Sequence, residues 1–101
     1  MQFDSTRNSG VTECLKIAAM CSANHVQLAP HHDPQVHGHL VAGLEVGEIV
    51  ETFPTGDRDP IWEELFSVRP EIKNSEMKLL DRPGWGVELN ESVLHERGVW
   101  A

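Results

Sequence analysis

Apolar residues Val11, Cys14, Leu15, Ala18 and Cys21 recur at the i, i+3, i+4, i+7 spacing, which predicts a helix from Val11 to about Asn24 with one buried face. Ser9 or Thr12 is the expected cap. Val26-Gln27-Leu28-Ala29 predicts a short strand ended by Pro30. A helix over Gln35 to Gly43 and a strand over Glu48 to Phe53 follow. Phe3-Asp4, trailed by polar residues up to Gly10, resembles the end of one more strand and its loop. Strand, helix, strand, helix, strand is a βαβαβ order, so an α/β fold with parallel strands and right-handed crossovers is expected.

The second half changes character. Asp59 and Pro60 open a short helix whose apolar face is Ile61, Trp62, Leu65 and Phe66. Glu71 to Leu79 reads as two short strands about a turn at Asn74-Ser75. Asn90 caps a last helix, with Glu91 in its first turn, Arg97 in its last and Gly98 just beyond.

Composition bounds the partners. A net charge of −8 with only 8 Lys and Arg offers no basic stripe, so neither nucleic acid nor an anionic membrane is an expected partner. No run approaches the roughly 18 apolar residues of a membrane span, and Met1-Gln2-Phe3-Asp4 lacks the basic start of a signal peptide, which predicts a cytoplasmic chain. Cys14 and Cys21 sit two turns, about 10 Å, apart on one helix, so they fill the core rather than bridge.

Candidate chemistry concentrates in Ala29 to His39, which holds His31, His32, Asp33, His37 and His39 at the turn between a strand and a helix, the usual site position in an α/β fold. Asp4, His31 and Glu51 each lie at or near the carboxyl end of a successive predicted strand, hence on one rim of a parallel sheet. His37 and His39 point to different sides of their helix, so that pair alone makes a poor zinc site; His39 is expected to pack or hydrogen-bond beneath the rim.

The ordered set Asp4, Gly10-Val11-Thr12-Glu13, Pro30-His31, His39-Leu40, Glu51 and Pro83-Gly84-Trp85-Gly86-Val87 resembles the mandelate racemase and muconate lactonizing group of the enolase superfamily, over nearly the whole chain. The resemblance implies the C-terminal portion, about three strands, of a (β/α)-barrel with a tail that belongs to the capping domain. Residues 1–69 correspond to the last βα units and 70–101 to that tail. It implies His31 as the base that moves the proton α to a carboxylate, Asp4 as its dyad partner and Glu51 as an acid on the substrate carboxylate. The parent enzymes, acid-sugar dehydratases or hydroxy-acid racemases, use Mg²⁺ held on earlier barrel strands that lie outside this sequence. An incomplete barrel is therefore expected, prone to self-association or requiring an N-terminal segment, with negligible turnover alone. Ser9 stands where the family usually has glycine, which suits the chain only if that position has an ordinary φ. Two other classes compete: a small metal-binding protein using His31, His32, Asp33 and His37, and a non-catalytic α/β interaction module.

Overall fold

A computed structural model describes residues 1–53 and 56–98. Its elements are α1 (Val11–Ala23), α2 (Pro34–Gly43), α3 (Pro60–Leu65), β1 (Phe66–Val68), β2 (Glu71–Lys73), β3 (Glu76–Lys78), β4 (Glu88–Leu89) and α4 (Glu91–Glu96). Two compact units result, Met1–Thr52 and Phe53–Ala101.

In the first unit the parallel order survives in the backbone hydrogen bonds. The N-terminal amine of Met1 donates to the Gln27 carbonyl at 2.6 Å, Ala29 N–H to Met1 at 2.9 Å and His31 N–H to Phe3 at 2.7 Å. On its other side, Leu28 donates to Val46 at 2.7 Å and accepts from Glu48 at 3.0 Å. The segment around Leu28 is thus the middle of three extended segments running in parallel. Among the described residues of this unit only the Leu28–Gly47 bridge has the full pairing geometry, so the expected strands at 26–29 and 48–53 are reduced to a bridge and extended chain. The pairing past Gly47 ends at Glu48, and Ile49 is 62% exposed. Gly47 is required by space: a Cβ there would lie 2.1 Å from the Val41 carbonyl oxygen.

Phe3, Cys14, Ala18, Cys21, Leu28 and Leu40 form the buried cluster, so α1 and α2 each lay one stripe on the same strands. The α1 stripe is narrower than its periodicity suggests, because Leu15 lies outside it and is exposed. The cysteines are both buried and free. Burial pushes the Cys14 thiol up, and the Asp4 and Glu13 charges push it further, so it stays a neutral core filler.

The expected cap of α1 is replaced. Gly10 at φ +88° is the α1 N-cap, with no side-chain cap bond. Ser9 before it has φ +62°, so the position does take the left-handed conformation in which a serine is strained. Its side chain is exposed, leaving only the backbone to decide. Ser9→Gly is expected to stabilise the chain by about 0.5 to 1 kcal/mol, read as a higher urea midpoint at unchanged slope. An unchanged or lower midpoint would contradict that strain.

In the second unit Asp59 caps α3 by accepting the Trp62 N–H at 3.1 Å. Trp62 is buried and meets Phe66 edge-on at 5.4 Å, and Arg69 stacks over it at 5.5 Å; Ile61, expected on that face, is exposed. β1 pairs antiparallel with β4, and β2 with β3. Asn74 and Ser75, at φ +52° and +63°, turn the second pair. Asn90 occupies the N-cap of α4 but makes no bond to its backbone; its Oδ1 instead accepts the Ser92 hydroxyl at 2.6 Å. An ion pair from Arg97 to Glu64 joins α4 to α3.

Candidate active site

Asp4, His31 and Glu51 come together on one rim of the first unit. The ends of the three parallel segments bring them there: His31 itself makes the last bond to Phe3, and Glu51 lies three residues beyond Glu48. His31 Nδ1 is 3.6 Å from Asp4 Oδ2, and its Nε2 is 3.7 Å from Glu51 Oε2. Both separations exceed a formed hydrogen bond. They are the loose spacing common at proton-transfer sites before substrate arrives. The imidazole is 44% exposed, Glu51 is 39% exposed and the Asp4 side chain is only 10% exposed.

Asp4 is fixed from its own loop. Oδ1 accepts the Thr6 amide at 2.8 Å and the Thr6 hydroxyl at 2.6 Å, while Arg7 Nε lies 3.2 Å from Oδ2. Burial by itself would raise the Asp4 pKa, but the Thr6 hydroxyl and amide, with the neighbouring His31, together hold it below its ordinary 3.8. A carboxyl so lowered stabilises the fold above its unfolded value and loses that contribution as pH falls through its folded value. Stability is therefore expected to fall as pH drops below about 3.8, and Asp4→Asn to flatten part of that limb. Urea midpoints of both proteins across this range check it; parallel curves would contradict it.

Glu51 also holds the histidine loop: its Oε2 accepts the His32 N–H at 2.9 Å. That loop is strained, with His32 at φ +54° and Asp33 at φ +40°, and Asp33 then serves as the N-cap of α2. Consecutive left-handed residues without glycine persist only where surroundings hold them. His32 Nδ1 beside Asp33 Oδ1 at 3.4 Å is among those holds.

The histidine buried most deeply beneath the rim is His37. It is fully buried, whereas His39 is only half-buried. Its place is legible in the i, i+3 relation to both Pro34 and Leu40, which puts it on the buried stripe of α2. Nε2 contacts the Ser5 amide and hydroxyl at 3.0 and 2.8 Å, and Nδ1 contacts the His32 carbonyl at 2.6 Å. With both nitrogens engaged inside the protein, His37 is not available to a metal shared with His31, His32 and Asp33. Among the described residues no group of three or more His, Cys, Asp or Glu is arranged to hold a metal ion. Asp4 Oδ1 and Glu51 Oε2 likewise accept loop hydrogen bonds, and with no such cluster among the described residues this donor set does not fit Mg²⁺.

The enolase C-terminal domain-like family model matches residues 1–93. The chain belongs to that family. Among relatives, it is 32% identical over 94 residues to the L-talarate/galactarate dehydratase of Salmonella typhimurium, covering 92% of this chain and 22% of that protein. A mandelate racemase/muconate lactonizing enzyme from a marine actinobacterium, solved with magnesium, is 39% identical at a TM-score of 0.87, covering 94% of this chain and 27% of that one. L-Talarate dehydratase from Polaromonas sp. JS666, solved with Mg and L-glucarate, is 35% identical at a TM-score of 0.77, covering 93% and 25%. The chain thus spans about a quarter of the length of these family members. The fold is that part of an enolase-superfamily protein, and its described residues form no closed barrel.

Proposed function

We propose that this chain supplies the proton-transfer half of an acid-sugar dehydratase site, within a protein that carries the rest of the barrel. The observation that carries the reading is the placement of one half-exposed imidazole between two carboxylates, Asp4 on Nδ1 and Glu51 on Nε2. Residues 1–69 take the place of the last βα units, and 70–101 run toward the capping domain.

Asp4, buried and ionised, orients Nδ1–H toward itself and leaves Nε2 bare as the base. Nε2 takes the proton α to the substrate carboxylate, and the electron pair moves into that carboxylate. Glu51, when it carries a proton, donates to the carboxylate oxygen where charge grows. Departure of the β-hydroxyl with a proton as water then leaves an enol that becomes the keto acid. Return of the proton without loss of water would give epimerisation. The talarate and galactarate dehydratases among the relatives support dehydration. Magnesium, present in the solved relatives, is assigned to no residue of this chain, and no step here runs through it.

The test is a chimera in which this chain replaces the matched quarter of the Salmonella L-talarate/galactarate dehydratase. Loss of water from galactarate is expected. A folded, magnesium-loaded chimera that binds galactarate and leaves it unchanged would contradict the reading.

A further inference from the structure

His37 makes a bridge that the catalytic reading does not use. It joins the residue after Asp4 to the residue after His31: Ser5 on Nε2, His32 on Nδ1. The Ser5 backbone nitrogen can only donate, so Nε2 accepts and is bare. The ring proton of neutral His37 is then on Nδ1, donated to the His32 carbonyl at 2.6 Å. Burial is complete, and the Phe3 ring meets the imidazole edge-on at 6.0 Å and 89°, which fixes its plane.

The mechanical consequence follows from what His32 would otherwise do. Its φ of +54° and the +40° of Asp33 form a strained reversal directly after His31, and relaxing it would swing the His31 imidazole off the rim. A buried donor aimed at the His32 carbonyl opposes that relaxation, and leaving either partner unpaired in this buried setting is costly. The same ring holds Ser5, hence the turn that presents Asp4.

We infer that His37, as the Nδ1–H tautomer, is a positioning residue that keeps Asp4 and His31 in register. This rests on the dyad reading proposed above. His37 touches neither substrate nor reacting atoms, and acts through the two loops.

The experiment is long-range ¹H–¹⁵N NMR of the imidazoles in the full 101-residue chain. His37 is expected to show a protonated Nδ1 and a bare Nε2; the opposite tautomer would overturn the inference even if no variant folds. In folded His37→Phe, the His31 tautomer signature set by Asp4 is expected to be lost, with the Ser5 and His32 amides shifted. His37→Asn, whose amide reaches the Nδ1 position, should restore the His32 shift alone, and His37→Gln, reaching the Nε2 position, the Ser5 shift alone. A His31 signature unchanged in folded His37→Phe would overturn the positioning role. Asp4→Asn separates the two claims: if it leaves His31 unchanged, the dyad fails, whereas the Ser5 and His32 shifts in His37→Phe still report the bridge.

Discussion

Replacing His31 with asparagine in the chimera is expected to lower galactarate dehydration by roughly 10² to 10⁴-fold, the usual contribution of a positioned base. Asparagine keeps a hydrogen-bonding group near Asp4 but has no nitrogen able to take a proton. Since the side chain is half-exposed and the hold on its loop comes from His32 and His37, the change should leave the fold intact. The loss should therefore fall on kcat, with KM for galactarate little altered. Asp4→Asn should produce a smaller loss, because it removes the orienting charge and leaves the base. A His31→Asn chimera within a few-fold of the unaltered rate would remove the base assignment.

Leu28→Ala should cost about 2 to 5 kcal/mol. Leu28 is 1% exposed at the centre of the first unit's cluster, and its own N–H and C=O tie the middle segment to Val46 and Glu48. Truncating it opens a cavity under the only point where the parallel segments reach full bridge geometry among the described residues. Against a total of about 5 to 15 kcal/mol for an ordinary domain, such a loss removes much of the unit's stability. Circular dichroism through a urea series should show a collapsed midpoint. A shift under about 1 kcal/mol would mean that the cluster is not what holds Met1–Thr52 together.

The helices were legible because their signals are local. The α1 periodicity, the Asp59-Pro60 start of α3 and the Gly98 stop after α4 each sit within a few residues of the element they define. The parallel strands were legible in order but not in extent. Their hydrogen bonds join Met1 to Gln27 and Leu28 to Val46, and no local pattern states how far such pairing runs. The rim was legible for the same topological reason: a strand end is easy to mark, and Asp4, His31 and Glu51 each mark one.

What stayed hidden was the support. Ser9 took a left-handed φ because the turn closed by Gly10 N–H to Ser5 carbonyl demands it, whichever residue stands there. His37 and His39 look alike in an H-x-H pattern, and only the stripe shared with Pro34 and Leu40 separates the buried ring from its neighbour. The strain at His32 and Asp33 carries only a faint sequence signal, since neither residue is glycine although His and Asp enter the left-handed region more readily than most side chains.

The most direct test of the central claim isolates proton removal from loss of water. The chimera is incubated in D₂O with an α-hydroxy acid that lacks a β-hydroxyl, and deuterium at the α-carbon is followed by NMR. Exchange by the unaltered chimera, reduced at least 100-fold in His31→Asn, is the predicted result. Equal exchange rates in the two proteins would contradict the account.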